Sequence, residues 1–593
     1  MNTLYYGDNL VVLRESIKDE TIDLVYLDPP FNSQATYNVL FKAPSGEESH
    51  AQIEAFEDTW HWGQSAEHAF DSVMNSGNTA ASELLRALRD FLKENDMMAY
   101  LAMMAIRLLE LHRVLKATGS LYLHCDPTAS HYLKLLLDSI FGPLNFRNEI
   151  VWRRTGSNNS ANRFGPIHQI ILFYGKSEAA KFKYPKGPYT KDYITKFFRE
   201  SDEHGQYRTV LLTGPGTRTG DSGKPWRGYN PTTSGRHWQP ASFLYEKYRK
   251  LTGDDLATYP LIQRLDKLDE LGLIHWGVDA KVPTYKLHLA DAEGVPLQDI
   301  WAFQPGTEGC VYQRPNDGID QDVKWLSAKD KERLGYPTQK PLGLLERIIR
   351  ASSDKNDIVL DPFCGCGTAI HAAEKLKRQW IGIDITHLAI SLIEKRLADA
   401  FPNIKYDVHG TPKDLEGARD LAARDKYQFQ WWAVSLVRAI PFGNKRKGPD
   451  TGIDGVIYFK DFKKKGDALV GSTTEKIIVS VKGGEGVGVG MIRDLAHVID
   501  REKAKMGLFI TLAEPTDPMR KEALKEGYFE SPGLKGKYLK LQIATIAELL
   551  AGKKPELPPL VSSFAQPSQE APEQGRLDVG PAVYGGRHPI KSR

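Results

Sequence analysis

The chain has 593 residues, of which 41% are apolar and 26% are charged, and its formal net charge is +3. This length exceeds one ordinary domain, so we expect two to four domains. The small net charge excludes a uniformly basic nucleic-acid coat, and only four cysteines exclude a disulfide framework. We find no cysteine pattern of a zinc site, no long apolar run and no leader, and therefore expect no confident metal site, no membrane span and a cytoplasmic protein.

Strands and helices alternate over residues 1–177. This spacing predicts a doubly wound α/β sheet. Residues 40–80, with Trp60 and Trp62, interrupt the pattern as an irregular insertion. We predict strands at 3–6, 22–27, 119–124, 149–152 and 169–174, and helices at 9–18, 97–115 and 131–141.

The rest of the chain divides by composition. Residues 178–330 are a long insertion in which glycine, arginine and aromatic residues interleave with weak periodicity. The α/β pattern resumes at 331–403, and 404–426 are a polar linker. A second, smaller α/β unit spans 427–552, and the polar, Pro-rich tail at 553–593 is predicted to be disordered.

The first motif with chemical meaning is Asp28-Pro29-Pro30-Phe31, which closes the apolar run at 22–27. An exocyclic amino nitrogen of adenine or cytosine is conjugated into its ring and is a poor nucleophile. The Asp28 carboxylate and the Pro29 carbonyl can each accept one of its N–H bonds, and the prolines stiffen the turn that holds both acceptors. Phe31 can stack on a base extruded from a duplex.

The second motif is a glycine-rich turn at 361–368, between a predicted strand and a predicted helix. Gly365 and Gly367 allow a ligand to approach the backbone closely, because glycine has no side chain. Asp384 ends the next predicted strand, where a carboxylate can bond both hydroxyls of a ribose. The Gly-x-Gly spacing, with Asp-Pro-Phe before it, differs from the three-glycine dinucleotide fingerprint.

In this order the two motifs resemble the permuted, β-class amino-directed DNA methyltransferases, in which the catalytic half precedes the cofactor half. The resemblance implies S-adenosyl-L-methionine as cofactor, double-stranded DNA as substrate and a prokaryotic restriction-modification or phage-defence context. It leaves a separate restriction subunit and a homodimer open. Asp8 would contact the adenine of the cofactor, and Lys340-Pro341 would pack over its methionine end. The implied cofactor residues are Asp8, Lys340, Pro341, Asp361, Phe363, Gly365, Gly367, Thr368 and Asp384.

Several alternatives stay open. Aspartate at position 28 resembles adenine-N6 enzymes, whereas many cytosine-N4 members carry serine there, so cytosine N4 is the main alternative. RNA or protein-amide methylation and a non-enzymatic DNA-binding subunit are further alternatives. The insertion at 178–330 occupies the place of a target-recognition region, and Arg218, Arg227 and Arg236 are its candidate DNA contacts.

Residues 427–552 resemble Mrr-type restriction endonucleases. Asp454 and Lys482 stand where an acid precedes one strand and a lysine ends the next, and the resemblance implies Mg²⁺ at such a pair. Ser480 departs from that pattern, because an acid or glutamine is usual there. Two interpretations therefore remain: a nuclease, and a DNA-binding or partner-docking module.

Overall fold

The structure is a computed structural model. It divides into two units, the first formed by residues 1–183, 299–301 and 322–593, and the second by 184–298 and 302–321. Phe31, Trp60 and residues 560–593 of the predicted tail lie outside the described residues. The structure describes residues 2–30, 36–42, 48–57, 61–157, 162–277, 282–327, 330–334, 336, 338–442, 452–465, 468–530 and 536–559.

The first unit contains a nine-stranded sheet, in which every strand except His168–Gly175 runs in the same direction. The pairing of Val359 with Leu24 joins the two distant parts of the chain in the middle of this sheet. The predicted doubly wound sheet is therefore confirmed. In spatial order its strands are Ile300–Trp301, Phe146–Arg153, His168–Gly175, Leu115–Cys125, Ile22–Leu27, Ile358–Asp361, Gln379–Asp384, Thr3–Tyr6 and Asp407–His409.

Helices cover both faces of the sheet. Along the Ile22–Leu27 strand, Val25 and Leu27 enter one apolar core, whereas Leu24 and Tyr26 enter the other. A strand buried on both sides is apolar at most successive positions, which explains the apolar run Leu24 to Leu27 in the sequence. The helices are Asn9–Ser16, Gln64–Met74, Thr79–Leu92, Asp96–Val114, Ser130–Phe141, Leu342–Ser352, Thr368–Lys375 and His387–Ala400.

The segment predicted as an irregular insertion at 40–80 is regular. Strands Thr36–Lys42 and Glu48–Glu57 form an antiparallel pair, and the helix Gln64–Met74 follows. Ala66, Ala69, Phe70 and Val73 are buried in this helix at helical spacing. Because polar residues separate these four positions, the sequence analysis did not recognise the short apolar face of this helix.

The segment predicted as a polar linker is also structured. Strand Asp407–His409 pairs in parallel with residues 3–5 at the edge of the sheet, and the helix Leu415–Arg424 buries Ala418 and Leu421 in the C-terminal core. Main-chain hydrogen bonds hold a three-residue edge strand, so side-chain composition gives little sign of it. The linker prediction at 404–426 is wrong for this reason.

The second unit is a folded body within the predicted insertion, although its bounds are narrower than 178–330. Trp226, Trp238 and Leu244 belong to its buried core. The weak hydrophobic periodicity in the sequence of the second unit follows from its short strands and helices, most of which bury one or two side chains. The strands are Lys186–Gly187, Glu200–Asp202, Gly205–Leu211, Thr213–Pro215, Arg236–Trp238, Ile274–His275, Thr284–His288 and Val295–Pro296, and the α-helices are Lys191–Phe197, Ser242–Thr252 and Leu261–Glu270.

The C-terminal part of the first unit forms a second, smaller α/β domain, as predicted. The helix Leu415–Arg424 contributes Ala418 and Leu421 to the core of this domain, so the core includes residues before the predicted boundary at 427. Leu557, in the predicted tail, packs against the core of this domain. No helix among the described ranges is long and apolar enough to cross a membrane. The five-stranded sheet is ordered Ile440–Pro441, Gly455–Lys465, Ala468–Lys482, Met506–Thr511 and Leu541–Thr545, with a pair Tyr528–Glu530 and Lys537–Leu539, and the helices are Lys426–Leu436, Val489–Arg501, Asp517–Lys525 and Ile546–Leu550.

Candidate active site

Four adjacent parallel strands end at one edge of the nine-stranded sheet, and a cavity of about 330 Å³ opens there. Ligands of doubly wound sheets bind beyond the carboxyl ends of the strands. The two sequence motifs, separated by more than 300 residues, meet at this cavity because their strands are neighbours. The predicted residues that line it are Asp8, Asp28, Pro29, Pro30, Lys340, Asp361, Phe363, Gly365, Thr368 and Asp384.

The two glycines of the turn have different roles. Both have left-handed backbone angles, with φ of +50° at Gly365 and +74° at Gly367. Gly365 lines the cavity, and a Cβ there would lie 3.2 Å from the Tyr336 ring. Gly367 is not among the lining residues, and its Cβ would lie 2.7 Å from Ile393. Gly367 therefore permits helix packing behind the turn instead of ligand approach.

Asp384 lines the cavity beside the glycine-rich turn. Its carboxylate accepts hydrogen bonds from the Gly365 amide and from the amide and hydroxyl of Thr386, each at 2.9 Å. Burial nevertheless raises the pKa of Asp384 to about 6. Hydroxyl donors from a ligand would stabilise the ionised form and offset that cost.

A buried arginine that the sequence analysis missed, Arg107, contacts two lining residues near the N-terminus, Asp8 and Asn9. Arg107 donates from Nε to Asn9 at 2.6 Å and pairs with Asp8 at 3.2 Å. Asn9 in turn donates to the Pro362 carbonyl at 2.8 Å, which ties the first helix to the glycine-rich turn. Arg107, the one charged residue in the apolar stretch 97–109, was the available signal, because a buried charge requires a partner.

The catalytic turn lies opposite the glycine-rich turn. Asp28, Pro29 and Pro30 all line the cavity, and Pro29 is buried. The Lys340 ammonium, predicted at the methionine end of a cofactor, donates to the Asp28 carboxylate. Pro341 instead caps the helix Leu342–Ser352 and is not a lining residue.

Four carboxyl groups line the cavity beside two cations, Arg107 and Lys340. Asp361 accepts the Phe363 amide at 3.1 Å, and burial raises the pKa of Asp361 well above its ordinary value, with further increases from Asp28 and Asp384. Such a wall suits ligands that carry positive charge or hydroxyl donors. The cavity can therefore hold a cationic, hydroxyl-bearing ligand beside a hydrogen-bond acceptor for an amine.

The three arginines predicted to contact DNA lie in the second unit. Arg227 pairs with Asp269 and lies 3.6 Å from Asp266, and Arg236 donates to the hydroxyl and carbonyl oxygens of Thr213. Arg218 is exposed. Arg227 and Arg236 thus have intramolecular partners, and a DNA-contact role remains a prediction for all three.

Two of the three predicted nuclease residues, Asp454 and Ser480, are joined by a hydrogen bond in the C-terminal domain. The Asp454 carboxylate accepts the Val481 amide at 2.6 Å and the Ser480 hydroxyl at 3.4 Å, and Lys482 ends the same strand. In the described part of the chain, no three His, Cys, Asp or Glu side chains form a metal-binding group. One carboxylate already engaged by a main-chain amide fits Mg²⁺ poorly.

Sequence comparison assigns two parts of the chain to known families. The family described as DNA methylase, directed to N6 or N4 amino groups, matches residues 22–395, and a family described as restriction endonuclease matches residues 421–529. Because the first match spans more than half of the chain, the protein belongs to the N6/N4 DNA methylase family. It is a DNA methyltransferase of restriction-modification type with a restriction-endonuclease-like domain after it.

The chain is also similar to individual proteins. The Type II methyltransferase M.EcaI of Enterobacter cloacae is 28% identical over 67% of this chain and 69% of its own length. The Mod subunit of the Type III enzyme StyLTI of Salmonella typhimurium is 26% identical over 64% of this chain but only half of its own length. A solved complex of M1.HpyAVI with S-adenosylmethionine is 14% identical with a TM-score of 0.30, covering 67% of this chain and 99% of that one.

Proposed function

We propose that the protein transfers a methyl group from S-adenosyl-L-methionine to the N6 amino group of adenine in double-stranded DNA. The observation that carries the proposal is the position of Asp28, at the head of a proline-stiffened turn, in the same cavity as the glycine-rich turn and Asp384. The aspartate favours adenine over the cytosine-N4 alternative, for which serine at this position is more typical.

The residues around the cavity fit this cofactor. Gly365 exposes main chain where a side chain would fill the space, and Asp384 offers a carboxylate whose ionised form gains from hydroxyl donors. Asp8 and Asp361 complete an acidic wall that suits a cationic ligand. When bound, the cofactor would supply an electrophilic methyl carbon: the new carbon–nitrogen bond replaces the carbon–sulfur bond, whose electron pair stays on sulfur, and the methylated nitrogen releases one proton to solvent.

The protein prepares the target nitrogen for attack. The Asp28 carboxylate and the Pro29 carbonyl accept its two N–H bonds, which withdraws the nitrogen lone pair from conjugation with the ring. Pro29 and Pro30 lack N–H groups and restrict the turn, so these acceptors are in place before the base arrives. Stacking of the extruded base on Phe31 remains a prediction.

Nucleoside mass spectrometry of DNA methylated in vitro tests the proposal. We expect N6-methyladenine from the wild type and none from Asp28→Ala, while the dissociation constant for S-adenosylhomocysteine changes by less than about threefold, because Asp28 is assigned to the target amine and not to the cofactor. N4-methylcytosine as the product would refute the adenine assignment. Full activity of Asp28→Ala would refute the assignment of the site.

Two alternative functions are considered for the C-terminal domain: DNA binding without cleavage, and DNA cleavage. The described residues provide Asp454 and Lys482 but no set of metal ligands, which favours DNA binding without cleavage. Magnesium-dependent cleavage of DNA by the full chain, abolished in Lys482→Ala, would instead establish a combined methyltransferase and endonuclease. A separate restriction subunit and a homodimer remain proposals, the former suggested by the similarity to a Type III Mod subunit.

A further inference from the structure

Lys340 is a nearly buried cation with an ion pair that its sequence motif did not predict. Its side chain is 7% exposed, and its ammonium donates to Asp28 Oδ2 and to the Thr338 carbonyl at 3.1 Å. The Asp28 side chain is only 15% exposed. Burying an ammonium group costs free energy unless it is paired, and here its partner is the carboxylate proposed to receive the target amine.

We propose that Lys340 is a positioning residue for Asp28, which holds the carboxylate ionised and oriented to accept an N–H bond from the target amine. This inference rests on the proposed function of the site. An ionised carboxylate has about four acceptor positions. The lysine ammonium and the target amine can therefore bond to it at the same time.

The surroundings of Asp28 explain why a cation is required. Asp361 and Asp384 line the same cavity, and like charges in a buried site favour protonation. A protonated Asp28 would present an O–H donor to the amine and lose acceptor capacity. Lys340 counters this effect, since an opposite charge at contact distance favours the ionised carboxylate.

Other ionisable groups near the pair must be distinguished from Asp28. Burial raises the pKa of each nearby tyrosine and cysteine and lowers that of the histidine, so these groups are neutral near pH 7. Asp361 is the remaining carboxyl in direct electrostatic contact with both members of the pair. The other side chains acted on by Asp28 or Lys340 are Tyr26, His124, Cys125, Tyr336 and Cys366.

The test is the pH dependence of kcat for Lys340→Met at saturating cofactor and DNA. We expect the acidic limb of the plot of kcat against pH to shift to higher pH by about 1 to 3 units. At pH 7 kcat falls by roughly tenfold or more and recovers as the pH is raised. Lys340→Arg should restore most of kcat, because it retains the charge. Calorimetry with S-adenosylhomocysteine should give a dissociation constant within about threefold of the wild type for both variants.

Lys116→Met is the matched control, because Lys116 pairs at 2.7 Å with Asp23, a buried carboxylate on the same strand as the catalytic turn. Its acidic limb should not move. Repeating the comparison in an Asp361→Asn background shows which carboxyl sets the limb. An unshifted limb in Lys340→Met, or weakened cofactor binding with unchanged kcat, would overturn the proposal. Total methyl incorporation is counted, so a cytosine product would refute only the adenine assignment.

Discussion

At the scale of single residues, Asp384 combines an unfavourable environment with a set of donors that keep it in place. The Gly365 amide and both donors of Thr386 hold the carboxylate, yet burial keeps its pKa near 6. A group with these properties is prepared for a ligand that donates hydrogen bonds to its ionised form. The cofactor affinity should therefore depend on pH.

Hydroxyl donors stabilise the carboxylate and lower the pKa of Asp384 when the cofactor binds, so binding releases a proton below pH 6. The affinity for the cofactor should have its full value above about pH 6 and should fall as the pH decreases, by at most about tenfold per pH unit. Calorimetric titration with S-adenosylhomocysteine between pH 5 and pH 8 measures this effect. Asp384→Asn should bind about 10- to 100-fold more weakly at pH 7 and lose this pH dependence. A wild-type affinity that rises with acidity would contradict the assigned contact.

At the scale of elements, the glycine-rich turn depends on a glycine that does not face the cavity. Gly367 has φ of +74° and lies directly against Ile393. An alanine there meets both backbone strain and a side-chain clash. We therefore expect this turn to be more sensitive to substitution at Gly367 than at an unconstrained glycine.

Gly367→Ala should lower the free energy of unfolding of the methylase part by about 2 to 4 kcal/mol. Urea unfolding monitored by tryptophan fluorescence measures the change. Gly63→Ala is the matched control, since Gly63 has extended backbone and open space around its Cβ position. Replacing Ile393 with alanine should relieve part of the clash, and equal stabilities of Gly367→Ala and Gly63→Ala would contradict this packing role.

The sequence predicted the elements whose apolar pattern is long or whose turn is distinctive. The strand Ile22–Leu27 was predicted correctly, but its buried Asp23 is satisfied by Lys116, Lys181 and the Ile358 amide. These partners are distant in sequence, so no local pattern reveals them. The strand Asp407–His409 was missed for a related reason, because it exists only by pairing with the N-terminal strand.

The same distinction applies to the site. Asp28 and Asp384 were found because their motifs follow predicted strands. Arg107 was missed and the ion pair between Lys340 and Asp28 was not predicted, because the contacts of these two cations with Asp8 and Asp28 depend on tertiary structure. Motif position thus predicted which residues approach the cavity, but not which side chains pair within it.

At the scale of the whole molecule, the C-terminal domain is packed against the cofactor side of the methylase. Trp431 and Ile440 share a buried cluster with Tyr336, Cys366 and Leu388. In addition, the Gln428 side chain accepts the amide of His387, three residues after Asp384, at 3.3 Å. Ligand binding at Asp384 and Gly365 should therefore stabilise the helix Lys426–Leu436 of the C-terminal domain.

Hydrogen exchange with and without saturating S-adenosylhomocysteine tests this coupling. Amide exchange in Lys426–Leu436 should slow on binding, whereas exchange in Val489–Arg501, which packs in a separate cluster, should not change. Trp431→Ala should abolish the protection of the helix Lys426–Leu436 and lower the free energy of unfolding of the C-terminal domain by about 3 to 5 kcal/mol. Unchanged exchange in that helix at full occupancy would show that the two parts are not coupled.

The central claim, that Asp28 directs methyl transfer to adenine, is tested most directly in cells. Long-read modified-base sequencing would be applied to DNA from a methylation-free host that expresses the full chain, beside one that expresses Asp28→Ala. We predict N6-methyladenine at one sequence motif with the wild type and none with the variant. N4-methylcytosine, or the same adenine modification in both strains, would contradict the claim.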